Sequence, residues 1–173
     1  PTIIVTAGAW SSPLLKKAGA SCPTKVNPDT RYTTKPMPGV PPNMPVLLMN
    51  GSYHNYIREW HGGLLIGGHG PITDRTASLS QAQRVREYIR QLEHVMPILK
   101  NAEIDQVTPC FATGTSDGRF IADAVPGYPG MYVITGCHEA GITHGPGLGR
   151  MMAELVVEGK TTWDRRPFQL DRF

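Results

Sequence analysis

The stretch CHEAGITHGPGLGRMMAEL, residues 137–155, decides how the C-terminal part of the sequence folds. The run MYVITG before it is typical of a strand, and the run RMMAELVVEG at its end is typical of a helix. The sequence therefore predicts a strand, a glycine-rich turn and a helix from Pro146 to Glu158, which Gly159 ends. The inward positions of that helix recur at helical spacing: Leu148, Met151, Met152, Leu155 and Val156.

The glycine-rich turn does not match the dinucleotide fingerprint GxGxxG. Gly145 and Gly147 fit the first two positions, but Arg150 occupies the third. Two interpretations stay open. The glycines let the backbone approach a ligand, with the free N–H groups of the helix pointing at an anion, or they merely allow tight packing.

The rest of the sequence predicts short elements of both kinds. TIIVT, residues 2–6, is typical of a central strand in a covered sheet, and Trp10 to Ala18 of a short helix. The proline-rich residues 20–43 indicate irregular structure or edge strands. PVLLMN, SYHNYIRE and GLLIGG follow, separated by the turn signals Asn50-Gly51 and Gly62-Gly63, and predict an antiparallel sheet.

A long helix and further strands complete the pattern. Ser80 and Gln83 form a capping box that begins the helix. Its apolar positions follow helical spacing: Val85, Tyr88, Ile89, Leu92, Val95, Met96 and Leu99. Pro97 is expected to disturb its last turn. Strands are predicted around Gln106 to Phe111, at FIADAV and at MYVITG.

Composition limits the function classes. Hydrophobic residues make up 40% of the sequence, which indicates a globular protein, and the net charge of +3 is too diffuse to predict a nucleic-acid partner. Cys22, Cys110 and Cys137 lie far apart, so we expect neither a disulfide framework nor a metal site, and a reducing, cytoplasmic location. No apolar run reaches membrane-spanning length.

Five stretches carry a resemblance to a known family. TIIVTAGAWS, YIREWHGGLLIGG, TSDGRFIAD, GMYVITGCHEAGITHGPGLGRMMAEL and PFQLDRF occur in the order and spacing of the C-terminal half of flavin-dependent amine and amino-acid oxidases. The sequence resembles the D-amino acid oxidase superfamily over nearly its whole length, and is similar to glycine oxidase and monomeric sarcosine oxidase. The resemblance implies an α/β (α+β) fold that binds FAD.

The resemblance also implies a division into lobes. Residues 1–20 and 113–173 would complete a Rossmann-like FAD-binding lobe, and residues 21–112 would form a substrate lobe with an antiparallel sheet and one long helix. The GxGxxG portion of the family is absent from this sequence. We therefore expect an N-terminal FAD-binding chain or segment to supply it, and an oligomeric assembly.

The resemblance implies two groups of cofactor-binding residues. The ADP half of FAD would lie against Ala7, Gly8 and Trp10. The isoalloxazine ring would be bordered by Gly136, Ala140, Gly141, Ile142, Thr143 and His144. In this arrangement the N–H groups of Gly141, Ile142 and Thr143 face the N1–C2=O edge of the ring, where negative charge develops on reduction.

The substrate side departs from the relatives. An arginine that binds the substrate carboxylate in glycine oxidase relatives corresponds to Ala112, and a lysine with that role in sarcosine oxidase relatives corresponds to Thr143. A methyl group cannot replace a bidentate arginine. Either Arg58 or the missing portion holds the carboxylate, or the substrate has none there. Tyr56 corresponds to a substrate-facing aromatic residue, although a half-buried strand tyrosine is an equal interpretation.

Several side chains have both a chemical and an ordinary interpretation. Cys110 corresponds to a cysteine that forms a thioether with flavin in sarcosine oxidase relatives, and is otherwise a small buried hydrophobic residue. His138 and His144 could bond the flavin or relay a proton. His54 and His61 are surface histidines by default. No residue is assigned as catalytic with certainty, and the candidates are Tyr56, His138 and Thr143.

The implied reaction is oxidation of the C–N bond of an amine or amino acid by hydride transfer to flavin N5, with O2 or another electron acceptor. Two alternatives stay open. The same scaffold would oxidise the C–OH bond of a 2-hydroxy acid, or the chain would be a non-catalytic subunit that retains the fold.

Overall fold

The computed structural model describes residues 1–49, 52–68 and 80–173, and of these it describes residues 49, 52–55, 81 and 82 by their backbone alone. The chain divides into two compact units. The first contains residues 1–28 and 111–173, and the second contains residues 29–110. The first boundary, after residue 28, lies eight residues later than the predicted limit at residue 20, and the second, before residue 111, lies two residues earlier than the predicted limit at residue 113. The roles of the two lobes stay predictions.

The first unit contains a three-stranded sheet of β1 (Ile3–Val5), β7 (Ile121–Ala124) and β8 (Met131–Thr135). The order is β1-β8-β7, with β1 parallel and β7 antiparallel to β8. The prediction of a covered central strand at residues 2–6 is wrong for the described sheet, because β1 is an edge strand with Ile3 and Ile4 exposed. β-branched composition reports the strand conformation and not the number of neighbouring strands.

Helices and the C-terminal tail cover the two faces of this sheet. The first helix, α1 (Ser11–Lys17), packs Leu15 with Val5, Val133 and Leu170 on one face. The last helix, α3 (Gly141–Glu158), packs on the other face through a separate hydrophobic cluster. That cluster contains Ala122, Leu148, Met151, Met152 and Leu155.

Helix α3 begins five residues earlier than predicted. The prediction placed its start at Pro146 because proline favours the first helical position. In the structure Pro146 lies in the sixth position, where it has no N–H to donate to the carbonyl of Ile142. Gly159, with φ of +69°, ends the helix as predicted.

Among the described residues, the second unit contains most of a five-stranded sheet, whose strands are β2 (Lys25–Thr34), β3 (Leu47–Met49), β4 (Ser52–Trp60), β5 (Gly63–Gly67) and β6 (Ile104–Gly114). Their order is β3-β4-β5-β2-β6. The pairs β3–β4, β4–β5 and β2–β5 are antiparallel. The proline-rich segment therefore contains a full strand, β2, whose Pro28 lies near its beginning.

The tight turn between β4 and β5 is formed by His61 and Gly62, with φ of +51° and +78°. It lies one residue earlier than the predicted Gly62-Gly63 turn, because a two-residue hairpin turn of this type requires positive φ at both positions. The other predicted turn, Asn50-Gly51, lies outside the described residues.

Helix α2 (Gln81–Leu92) begins with the predicted capping box. The Ser80 hydroxyl accepts the N–H of Gln83, and the Gln83 side chain accepts the N–H of Ser80. The helix ends at Leu92, earlier than the helical spacing to Leu99 indicates. Pro97, which is expected to disturb the last turn, begins a separate 3₁₀ turn, Pro97–Asn101. The core of this unit joins α2 to one face of the sheet: Tyr32, Met37, Ile57, Leu64, Ile66, Val85, Tyr88, Ile89, Leu92 and Leu99.

No helix within the described ranges is both long enough and apolar enough to cross a membrane.

Candidate functional site

Two turns of the first unit meet at the carboxyl edge of its sheet. Because β1 and β8 are parallel and Val5 pairs with Val133, the chain leaves both strands at the same edge. The turn after β1 contains Gly8, and the hydroxyl of Thr135, the last residue of β8, donates to the Gly8 carbonyl at 3.3 Å. In open α/β sheets this edge is where ligands bind.

Gly136, the first residue after β8, requires the absence of a side chain. Its φ is +73°, and a Cβ there would lie 2.8 Å from Cγ2 of Thr115. Its N–H donates to the buried hydroxyl of Thr113 at 3.2 Å. The contacts fix the direction in which the chain leaves the sheet.

The residues that follow are held in a rare conformation. His138 and Glu139 have φ of +42° and +72°, a region that costs a non-glycine residue roughly 1–2 kcal/mol. The backbone N–H of His138 donates to the Thr113 carbonyl at 2.8 Å. Such strain persists only where the surrounding contacts enforce it, and it often marks a functional site.

The His138 ring is engaged by the protein itself. Its Nε2 accepts the N–H of Thr115 at 3.1 Å, so Nε2 carries the lone pair and the ring proton resides on Nδ1. This bond ties the ring to the end of β6. Only the Nδ1–H is left to meet a ligand, and a role for His138 in proton relay stays a prediction.

The first turn of α3 presents free donors. The N–H of His144 is the first to bond back, to the Ala140 carbonyl at 3.1 Å, so those of Gly141, Ile142 and Thr143 have no partner within the helix. Ile142 is 93% exposed. A Cβ added at Gly145 would meet nothing within 4 Å, so this part of the helix surface is open. The positive end of the helix dipole favours an anionic group at this place.

His144 and Thr143 reinforce the helix start. The Thr143 hydroxyl donates to the Ala140 carbonyl at 2.9 Å, and Nδ1 of His144 lies 3.0 Å from the same oxygen. The His144 ring contacts Phe120, with centroids 4.9 Å apart. If Nδ1 donates to the carbonyl, Nε2 of His144 is an acceptor on the exposed side of the helix.

The turn after β1 contains a buried hydroxyl without a partner. Ser11 follows the 3₁₀ turn Gly8–Trp10 and is completely buried, yet no hydrogen-bond partner for its Oγ occurs in the described ranges. An unmade hydrogen bond of this kind costs about 1–3 kcal/mol. Trp10 beside it is 64% exposed and meets Phe111 edge-on at 6.2 Å.

The turn Thr115–Gly118, which precedes β7, is fixed by the C-terminal tail. Arg172 donates to both carboxylate oxygens of Asp117, at 2.7 and 3.1 Å, and to the Arg119 carbonyl at 3.0 Å. The hydrogen bond from Arg172 holds the pKa of the Asp117 carboxyl well below its usual range. The tail therefore stabilises the turn that positions Thr115 and, through it, His138.

Replacement of Asp117 by Asn is expected to lower the free energy of unfolding by about 1 kcal/mol at pH 7, a small value because 34% of the Asp117 side chain is exposed. The pKa is lowered in the folded state, so the stabilisation is present above the ordinary carboxyl pKa and is lost as the pH falls through the folded value. Urea denaturation at pH 7 and pH 3 checks this. Asp105→Asn, at an exposed position, is the control, and an Asp117 effect that is equally large at both pH values would contradict the assignment.

In the second unit, Tyr56 and Arg58 lie on the sheet face opposite to Ile57 and the α2 core. The Tyr56 ring covers Gly67, where an added Cβ would lie 2.2 Å from a ring carbon. The Arg58 guanidinium lies 4.6 Å from the centre of the Trp60 ring, which also meets His61 edge-on. The side chain of His54 lies outside the described residues.

Cys110, the predicted attachment point for flavin, is half-buried near the end of β6. Its Sγ lies 3.7 Å from the Thr108 carbonyl. The other cysteine of interest, Cys22, is buried in the core of the first unit, and burial raises the pKa of its thiol to about 11. Among the described residues, no cluster of histidine, cysteine or acidic side chains could hold a metal ion.

Sequence reasoning missed the residues that position the site. Thr113 and Thr115 hold the Gly136 and His138 turn, and Ser11 places a buried hydroxyl beside the Gly8 turn. The available sequence signal was the placement of Thr113 and Thr115 two residues apart at the end of a strand, which puts both side chains on the same face. Their partners lie more than 20 residues away, so spacing alone could not pair them.

Comparisons with known proteins identify one family and several similar proteins. The DAO family, described as FAD dependent oxidoreductase, matches residues 1–155. Monomeric sarcosine oxidase from Bacillus sp. (strain NS-129) is 26% identical over 98% of this chain and 47% of its own length. The mitochondrial pyruvate dehydrogenase phosphatase regulatory subunit of Mus musculus is 32% identical over 68% of this chain and 15% of its own length.

Solved structures agree with the sequence comparison. The crystal structure of glycine oxidase from Geobacillus kaustophilus superimposes with a TM-score of 0.80 and 26% identity, over 99% of this chain and 45% of that one. The chain thus spans less than half the length of each of these three relatives.

Proposed function

Because the chain belongs to the DAO family of FAD-dependent oxidoreductases, we propose that it is part of an enzyme that oxidises the C–N bond of an amine or amino acid. In this reaction the C–N single bond becomes a C=N bond with loss of a hydride and a proton, and water then hydrolyses the imine. The names of the relatives, sarcosine oxidase and glycine oxidase, support this substrate class. O2 or another electron acceptor completes the cycle.

The residues at the carboxyl edge of the first sheet fit FAD. The observation that carries the proposal is the meeting of the Gly8 turn, the Gly136 turn and the start of α3 in one unit. The partnerless hydroxyl of Ser11 and the side-chain-free approach at Gly136 suit a closely bound ligand. Ala7, Gly8 and Trp10 would hold the ADP half, and Gly136 with the turn from Ala140 to His144 would border the ring. When bound, FAD supplies the acceptor for the hydride.

The protein residues supply orientation and electrostatic stabilisation. The free N–H groups of Gly141, Ile142 and Thr143 would stabilise negative charge without having to reorient. Tyr56 and Arg58, on one face of the second sheet, would orient the substrate. Since the chain spans less than half of its relatives, we propose that an N-terminal segment or partner chain supplies the remaining contacts to FAD.

An absorption spectrum tests the proposal. Purified assembly that contains FAD is yellow, and anaerobic addition of an amine substrate should bleach the flavin absorbance, whereas addition of a 2-hydroxy acid should not. Bleaching by the hydroxy acid alone would favour the alternative C–OH oxidation. A yellow protein that no amine or hydroxy acid bleaches would contradict the proposed reaction.

A specific observation favours a second candidate function. The position of the glycine oxidase arginine is Ala112, and one relative is named as a regulatory subunit. On this alternative the chain would retain the fold as a non-catalytic subunit. The bleaching experiment separates the two, because a non-catalytic subunit has no substrate that reduces bound flavin.

Replacement of Cys110 by Ala tests covalent attachment. If Cys110 forms a thioether with the flavin, acid-precipitated wild-type protein keeps its yellow colour in the pellet and Cys110→Ala releases all of it to the supernatant. Cys22→Ala is the control, because its buried thiol, with a raised pKa, is a poor nucleophile. Colour that stays in the Cys110→Ala pellet would exclude attachment at this residue.

A further inference from the structure

The sheet face that carries Tyr56 also carries a second arginine. Arg31 of β2 pairs with Gly67 of β5, and Gly67 pairs with Tyr56 of β4, so the three residues form one row across the sheet. The adjacent row contains Thr33, Leu65 and Arg58 in the same order. Because side chains alternate along a strand, Arg31 and Arg58 point to the same face, opposite to Tyr32 and Ile57 in the α2 core.

Both arginines are free to bind an anion. Arg31 is exposed, and no carboxylate in the described part of the chain forms an ion pair with Arg31 or Arg58. The acidic neighbours have other contacts: Asp29 accepts the N–H of Thr30 at 2.7 Å, and Glu59 accepts the N–H of Gly62 at 2.8 Å. Each planar guanidinium can bind a carboxylate through two parallel hydrogen bonds, so two arginines on one sheet face without a carboxylate partner suit an anionic ligand.

The positions of the two arginines favour an anion with two acidic groups. They are two strands and two residues apart, which places their Cα atoms roughly 12 Å from each other. The Arg58 guanidinium also lies over Trp60, on the side away from the Arg31 row. Because the Arg58 guanidinium is held at Trp60, away from the Arg31 row, a molecule with an acidic group at each end can meet both guanidinium groups.

We propose that Arg31 is a specificity-determining residue that binds a second acidic group of the substrate while Arg58 binds the first. The substrate class is then an amine that bears two carboxylates. This inference rests on the proposed function for the identity of the ligand as a substrate. It accounts for the change to Ala112 at the position of the relatives' arginine, since both acidic groups are bound by residues of the second sheet.

Calorimetric titration of the purified assembly with glutarate and butyrate tests the inference. The two probes differ by one carboxylate, and neither has an amine to be oxidised. Glutarate is expected to bind at least tenfold more tightly than butyrate. Arg31→Gln should weaken the affinity for glutarate about tenfold and change the affinity for butyrate less than twofold. Arg31→Lys should retain part of the difference in affinity between glutarate and butyrate, because lysine keeps the positive charge but lacks the planar guanidinium group.

Arg86→Gln is the matched control, since Arg86 is an exposed arginine on α2 in the same unit, and it should change neither affinity. Equal affinity for the two probes, or glutarate binding that Arg31→Gln does not alter, overturns the inference. Binding of these probes requires no catalysis, so the two proposals can fail independently. If the proposed function is wrong, no amine bleaches the flavin, but glutarate binding can still depend on Arg31.

Discussion

Asp123→Ala is expected to lower the free energy of unfolding by about 3 kcal/mol, the cost of removing one partner of a mostly buried ion pair. Asp123 of β7 is 6% exposed, and one of its carboxylate oxygens accepts from the guanidinium of Arg165. The other accepts the N–H of Leu170 at 3.0 Å. Without the carboxylate, Arg165 and the Leu170 N–H lose their partner, and the C-terminal tail is held to the sheet by fewer contacts. A urea denaturation curve measures the change.

Two further variants identify the cause. Asp123→Asn keeps an acceptor for the Leu170 N–H but loses the charge, so its effect should be intermediate. Asp164→Ala removes a carboxylate that pairs with Arg166 at the exposed surface and should leave the midpoint unchanged. Equal curves for Asp123→Ala and Asp164→Ala would show that Asp123 does not hold the tail.

The sequence predicted those elements whose signals are local. The capping box of α2, the strand before the glycine-rich turn and the glycine end of α3 depend on residues a few positions apart, and all three occur in the structure. The errors arose where a local preference met a distant constraint. Pro146 is a favoured first helical residue, but the turn fixed by Thr113 and Thr115 begins the helix at Gly141.

The candidate site was predicted less completely than the fold. The resemblance placed the Gly8 and Gly136 turns in one site, and the parallel pairing of β1 with β8 brings them to the same sheet edge. The link from Arg172 to Asp117 spans 55 residues and has no sequence signal. The row from Arg31 through Gly67 to Tyr56 could be found only after the strand register was known.

Charge at Ile142 is expected to change the reduction potential of bound FAD. Ile142 belongs to the first turn of α3 and is 93% exposed, so either Glu or Lys can be accommodated without disturbing the core. If the start of α3 borders the ring edge that becomes negative on reduction, Ile142→Glu should lower the potential and Ile142→Lys should raise it. An interaction of about 1 kcal/mol corresponds to roughly 20 mV for a two-electron couple, so the two variants should differ by roughly 40 mV.

The same substitutions at Val157 provide the control, because Val157 is 82% exposed near the other end of α3. Fifteen residues of helix separate the two positions, about 22 Å, which exceeds the screening length of about 8 Å at physiological salt. Val157→Glu and Val157→Lys should therefore have the same potential, measured by equilibration with a reference dye. If Ile142→Glu and Ile142→Lys also have equal potentials, the free N–H groups of α3 do not lie beside the flavin, and the proposed FAD orientation is wrong.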